Sequence, residues 1–148
     1  MTTIAEFMTA VHRQCDEALA AAEEAVGKQN WPEASQRWTD FADEMALHFA
    51  REEKALFPSF EEATGMTEGP TSVMRMEHEQ MRQLFAQLSE AVAAQDSEGF
   101  LGISETLMML IQQHNMKEEQ MLYPMCDRAL TDTSSIIARL ETIVSDSE

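Results

Sequence analysis

The chain has little of what builds sheets, disulfide frameworks or membrane spans. Its 148 residues include only 5 glycines, 4 prolines and 2 cysteines. Glycine and proline punctuate turns and β-branched residues favour strands, so a chain poor in them and rich in Ala, Glu, Met and Leu favours helices. No apolar run approaches the length of a membrane span, and no basic, apolar leader opens the chain. We therefore expect an all-α protein in the cytoplasm, where two cysteines stay reduced.

Basic residues are also scarce. The chain has 10 Lys and Arg against 27 Asp and Glu, which gives a formal net charge of −17. Such a surface repels a phosphate backbone or an anionic bilayer, so we expect neither nucleic acid nor membrane as a partner. The length suits one domain and is too short for two independent cores.

What the chain does contain is a repeat. Residues 48–58, HFAREEKALFP, recur as residues 114–124, HNMKEEQMLYP. His48 and His114 are 66 positions apart, and the other two histidines, His12 and His78, are separated by the same 66 positions. All four histidines therefore belong to one pattern used twice, in which a His is followed 36 positions later by His-x-x-x-Glu.

Apolar residues recur at a spacing of three and four along most of the chain, which predicts amphipathic helices. The four long helices are expected at about residues 4–27, 32–57, 71–95 and 97–125, and a short fifth helix at about residues 132–145, with a frayed acidic end. Pro58 should disturb or end the second helix. Because the connections are short, we predict an up-down-up-down four-helix bundle over about residues 4–126, followed by a short C-terminal fifth helix, in a single domain.

The repeated motif places polar side chains where leucine would be expected. Residues i and i+4 share a helix face, so His48 with Glu52 and His114 with Glu118 point inward. One such pair would be ordinary helix decoration, and a lone histidine on an apolar face is usually a satisfied core residue. Here the motif occurs twice on apolar helix faces, and each copy is preceded by another histidine on such a face. Neither helix decoration nor a satisfied core histidine explains this pattern.

The glutamates that follow, Glu53 and Glu119, lie five positions after their histidines. This offset turns them well away from the inward face. We place them outside the ligand set, next to the ligands or at the surface.

Four imidazoles and two carboxylates at one level of a core would be costly without a partner, at several kcal/mol per buried ion. A pair of cations removes this cost. Symmetry predicts His12 and His48 on one ion, His78 and His114 on the other, and Glu52 and Glu118 between them. Mixed imidazole and carboxylate donors suit iron, manganese or zinc, and an open position favours redox-active iron over a closed zinc site. The predicted cofactor is two iron ions, solvent- or oxo-bridged.

The four histidines, the two His-x-x-x-Glu motifs, the Glu77-His78 pair and the Glu-Glu-x-x-Leu-Phe/Tyr-Pro tails resemble the hemerythrin-like, or HHE cation-binding, domain over roughly residues 4–126. The resemblance implies a non-haem di-iron centre that binds dioxygen or a related small molecule. Hemerythrin proper has another His where this chain has Met74, and an Asp at five-residue spacing where this chain has Glu118 at four. The pattern is also similar to the C-terminal domain of di-iron proteins that repair iron-sulfur clusters.

Three functions follow as hypotheses. The first is dioxygen binding for storage, delivery or sensing. The second is a di-iron oxidoreductase acting on peroxide or nitric oxide, or an iron donor for cluster repair, so whether the protein is an enzyme stays open. The third is a metal-responsive interaction module. No catalytic residue is predicted.

Four further side chains also have expected positions or roles. Met74 is expected to fill the core. Tyr123 follows His114 by nine positions, on the opposite side of an ideal helix, so we do not expect it as a ligand unless the helix deforms near Pro124. Cys15 and Cys126 should lie too far apart along the bundle to form a disulfide.

Overall fold

The structure, a computed structural model, describes residues 2–144. Every regular element in this range is helical, which confirms the predicted all-α class. The α-helices are α1 (Ile4–Gly27), α2 (Trp31–Arg51), α3 (Phe57–Thr64), α4 (Pro70–Ala93), α5 (Ser97–Lys117), α6 (Tyr123–Ala129) and α7 (Thr133–Thr142). Two π-helical segments complete the described chain: π1 (Glu52–Leu56) joins α2 to α3, and π2 (Glu118–Leu122) joins α5 to α6.

The four long helices pack around a shared interior. Helix α1 contacts α2 and α5, and α4 contacts the same two helices. The short helix α7 packs against α1 and π1. The predicted frayed acidic end of this last helix lies outside the described residues. Within residues 2–144, no helix is both long and apolar enough to cross a membrane.

The second predicted helix does not end at Phe57. It changes from α to π geometry at Glu52 and then continues as α3 to Thr64. Proline has no N–H and its ring clashes with the carbonyl of residue i−4 in an α-helix. In π1 the turn takes one more residue, so the N–H of Phe57 donates to the carbonyl of Glu52, and Pro58 enters at the first turn of α3. The disturbance therefore precedes the proline.

The start of α1 is fixed at both the local and the tertiary level. The Thr3 side chain caps the helix. The backbone N–H groups of Ile4 and Ala5 donate to the Asp127 carboxylate on α6, at 2.9 and 3.1 Å. These bonds fix α1, and with it His12, relative to α6.

The buried apolar side chains form two clusters. One includes Phe41 and Cys15, and the other includes Phe60 and Met8. His12 stands on α1 between Met8 and Cys15, so it lies between a residue of each cluster. Each of the other three histidines likewise falls, along the chain, between a residue of one cluster and a residue of the other. A polar layer therefore separates two apolar halves of the core.

Candidate metal centre

The structure brings all six residues that the sequence predicts as ligands into this polar layer. The four long helices contribute one histidine each, and the two carboxylates are the first residues of π1 and π2. None of the six is more than 3% exposed: His12, His48, Glu52, His78, His114 and Glu118. Their role as metal ligands stays a prediction.

The layer divides into two groups of potential donors. In each group, one donor atom per residue lies within 4.8 Å of every other. The first group is His12, His48 and Glu118, and the second is Glu52, His78, His114 and Glu118. The histidines thus pair as symmetry predicts, and Glu118 belongs to both groups.

Five inner atoms of these side chains converge without a hydrogen-bond partner among the described residues: the Nε2 atoms of His48, His78 and His114, Glu52 Oε1 and Glu118 Oε2. His78 Nε2 lies 3.0 Å from Glu52 Oε1, and neither atom has a hydrogen-bond partner among the described residues. The Nε2 atoms of His48 and His114 are equally unpaired. A buried polar atom without a partner costs about 1 to 3 kcal/mol. Convergent unpaired nitrogen and oxygen atoms are what a bound cation requires, so these residues fit a metal site.

The outer nitrogens of three of the histidines each contact a carboxylate from another helix. The Nδ1 contacts are His12 to Glu119 at 2.6 Å, His78 to Glu53 at 2.7 Å, and His114 to Glu77 at 2.8 Å. Because an ionised carboxylate only accepts hydrogen bonds, Nδ1 carries a hydrogen, and Nε2 is the nitrogen that can bind a cation once the ring is neutral. The sequence placed Glu53 and Glu119 outside the ligand set. It signalled Glu77 only as the neighbour of His78.

Two of these carboxylates are held in turn by cations. Arg82 donates to Glu53 at 2.7 Å, and its guanidinium lies 5.1 Å from the centroid of the Phe49 ring. Lys117 donates to Glu77 at 2.5 Å. These basic residues fix the carboxylates that orient His78 and His114.

The electrostatics of the layer balance carboxylates against imidazoles. Burial alone would lower the pKa of His114, but Glu118, Glu52 and Glu77 raise it to about 9. Burial opposes the ionised form of Glu53, yet His78 and Arg82 hold its pKa down to about 2. Without a metal the layer therefore holds protons that an incoming cation must displace.

Tyr123 is a part of the site that the ideal-helix argument missed. Its fully buried phenol oxygen lies 2.6 Å from Glu52 Oε2, 2.8 Å from Glu118 Oε1 and 3.1 Å from His12 Nε2. π2 deforms the helix just before Pro124, which is the condition under which the sequence allowed Tyr123 to approach the ligands. An extra residue in the turn places position i+5 from Glu118 over the site. Burial, Glu118 and Glu52 together raise the pKa of Tyr123 well above its usual value.

Two surface cavities, each of about 280 Å³, lie beside the site. Their walls include residues of the site or residues one helical turn from it. One is polar and includes His12 and Glu119. The other is apolar and includes Met74 and Leu122, one turn from His78 and Glu118 respectively. Met74 is buried within an apolar cluster, in the core position that the sequence predicts.

The two cysteines are buried and unpaired, as predicted. Cys15 belongs to one apolar cluster and Cys126 to the other. Burial, followed by nearby carboxylates, raises the pKa of each thiol to about 12.

The fold and the site together define a helical protein with a buried metal-binding centre. A family model described as the Hemerythrin HHE cation binding domain matches residues 3–126. The chain therefore belongs to this family, which is the family that the repeated motif indicates. Comparisons with curated proteins and with solved structures give no match.

Proposed function

We propose that the chain is a non-haem di-iron protein that binds dioxygen, for storage, delivery or sensing. The observation that carries this proposal is the set of convergent, unpaired nitrogen and oxygen atoms between the two apolar clusters. His12 and His48 hold one ion, His78 and His114 hold the other, and Glu52 and Glu118 are shared between them. The helices that present these residues run up-down-up-down.

Iron, when bound, supplies a centre that can donate electrons to a small oxidant. The residues of this chain position the ions and exclude most of the solvent. The Nδ1 hydrogen bonds fix three of the imidazole rings, so their Nε2 atoms face inward without rearrangement. Phe49 stacks on His78 with ring centroids 3.9 Å apart and closes that side of the layer.

The test is anaerobic loading with ferrous iron, followed by admission of air and then by degassing. We expect two iron ions per chain, a visible absorption change on admission of air, and its reversal on degassing. The proposal would be contradicted if the chain bound zinc but not iron, or if the spectrum of the iron-loaded protein did not change on admission of air. Measurement of His78→Ala under the same conditions provides the control, because it should lower the iron content.

The runner-up function is a di-iron oxidoreductase that consumes peroxide or nitric oxide. One observation favours it. His12 and Glu119 form part of a solvent-facing cavity, and the Glu119 side chain is 35% exposed, so water and polar substrates reach one side of the site. Multiple turnovers of peroxide or nitric oxide together with rapid autoxidation would support this function. A stable, reversible dioxygen adduct would support the carrier.

A further inference from the structure

The phenol oxygen of Tyr123 and two of the proposed ligand atoms form a nearly equilateral triangle. The distances are 3.1 Å from the oxygen to His12 Nε2, 2.8 Å from the oxygen to Glu118 Oε1, and 3.0 Å between those two atoms. All three atoms are buried. The triangle lies on the side of the layer that holds the first donor group.

These separations are those of atoms that share one metal ion. Nitrogen and oxygen ligands lie about 2.0 to 2.2 Å from a first-row cation such as zinc, so two ligands at right angles are about 2.8 to 3.1 Å apart. The three measured edges fall in this range. Together they match one face of an octahedron.

In the metal-free protein, a protonated His12 donates Nε2–H to Glu118 Oε1, but a metal ion requires the neutral ring, and the triangle is then short of hydrogens. His12 Nδ1 donates to Glu119, so the Nε2 of a neutral His12 ring presents a lone pair. The Glu118 carboxylate also presents a lone pair, and the phenol brings a single hydrogen to be shared with Glu52 as well. With His12 neutral, the single phenol hydrogen cannot serve three acceptors, whereas one cation can bind His12 Nε2, Glu118 Oε1 and the phenol oxygen together.

The two halves of the repeat differ at this position. Tyr123 and Phe57 are 66 positions apart, and each follows the first carboxylate of its π-helical segment by five residues. Phe57 stacks against His78, with ring centroids 5.8 Å apart, and has no oxygen to offer. Only the first donor group therefore gains a ligand from this position.

We propose that the Tyr123 oxygen is a further ligand of the ion held by His12, His48 and Glu118. The ion held by His78 and His114 then keeps the open position and receives the exogenous small molecule. The phenolic hydrogen leaves to solvent as a proton when the ion binds, and the oxygen's lone pair forms the new bond. This inference rests on the proposed di-iron function and adds the inequivalence of the two ions.

The chain has a single tyrosine, so a phenolate signal has only one source. We would load the full chain with ferrous iron, oxidise it, count the bound iron, and record the visible spectrum and the resonance Raman spectrum. The expected result is two iron ions per chain with a phenolate-to-iron(III) charge-transfer band and enhanced tyrosine ring vibrations. Tyr123→Phe should bind two ions at saturation and lose the band, whereas the packing control Phe57→Leu should keep it.

Two outcomes separate this inference from the proposed function. A wild-type protein with two ferric ions and no phenolate band overturns the role of Tyr123 and leaves the di-iron function standing. A wild-type protein that takes up no iron overturns both. Because the wild-type spectrum decides the matter, the test holds even if Tyr123→Phe does not fold.

Discussion

At the scale of the residue, the four histidines of the site are not equivalent. Three have a carboxylate on Nδ1, but His48 Nδ1 is buried and has no hydrogen-bond partner within residues 2–144. The repeat shows the reason. His114 is supported by Glu77, and the position 66 residues before Glu77 is Val11, which is buried and apolar. Among the predicted ligands with an imidazole ring, His48 is therefore the one whose orientation the protein supports least.

Removing the carboxylate from the Nδ1 atom of another histidine should leave its imidazole ring as poorly oriented as that of His48. Glu77→Ala deletes the partner of His114 Nδ1, and we expect metal affinity to fall about 10- to 100-fold because the imidazole loses its orientation and part of its basicity. Competition with a chelator of known affinity measures this change. The matched control, Glu68→Ala, removes an exposed glutamate from the 65–69 connection and should leave the affinity unchanged. Equal affinities in the two variants would contradict the role given to Glu77.

The cysteines provide a second test at this scale. With a pKa of about 12, Cys15 and Cys126 are protonated at pH 8, where only about one thiol in ten thousand is ionised. Because the thiolate is the nucleophile, iodoacetamide should label neither cysteine in the folded protein and both in guanidinium chloride. Mass spectrometry of the alkylated protein gives the count. Rapid labelling of the folded chain would show that one of the thiols is reachable.

At the scale of the element, the two π-helical segments shape the site. Each starts with a carboxylate of the polar layer and ends just before an aromatic residue and a proline. The extra residue in the turn brings that aromatic side chain over the layer, and it removes the clash that the proline would cause in a continuous α-helix.

Removing the extra residue should undo this arrangement. Deleting Gln120, an exposed residue of π2, converts the segment to α geometry but keeps Tyr123 and Cys126 on the same face, because position i+5 of a π turn becomes position i+4 of an α turn. Pro124 then lies within a continuous α-helix, where its ring clashes with the carbonyl of Glu119, so we expect a loss of about 3 kcal/mol in the free energy of unfolding. Urea denaturation measures the loss.

Two controls accompany this deletion. Gln120→Ala shortens an exposed side chain without changing the turn, and deleting Thr67 shortens an exposed connection. Both should be nearly neutral. If the Gln120 deletion is as stable as these controls, the π geometry is not needed to accommodate Pro124.

At the scale of the whole molecule, two features destabilise the folded state of the metal-free protein. Its net charge is −17, and a layer of unpaired polar atoms divides its core. Cations that bind in the layer reduce both. We therefore expect folding and metal binding to be coupled in this chain.

This coupling predicts a large effect of chelation. At a free metal concentration of 100 times Kd, one bound ion adds about 2.7 kcal/mol to the free energy of unfolding. For a chain of this size, that corresponds to about 5 to 11 °C in Tm. Calorimetry with metal and with a chelator measures the difference, which His114→Ala should reduce. A Tm that is the same in both conditions would exclude the coupling.

The sequence predicted the helices and the buried His and Glu layer because both depend on periodicity, and a helix repeats every 3.6 residues wherever it is regular. It missed the contact of Tyr123 for the same reason, because one extra residue in a turn changes the direction in which every later side chain points. The signal was present in Pro58 and Pro124, which follow the two motifs at the same distance. The carboxylates on the outer nitrogens of His12, His78 and His114 come from other helices, which no spacing along one helix can reveal.

The supporting carboxylates have a consequence for the two halves of the chain. Glu119, from the second half, holds His12 of the first, and Glu53, from the first half, holds His78 of the second. This exchange means that neither half is a complete unit. Two fragments cut in the 65–69 connection should each be a poor metal binder, and mixing them should restore binding by mutual complementation.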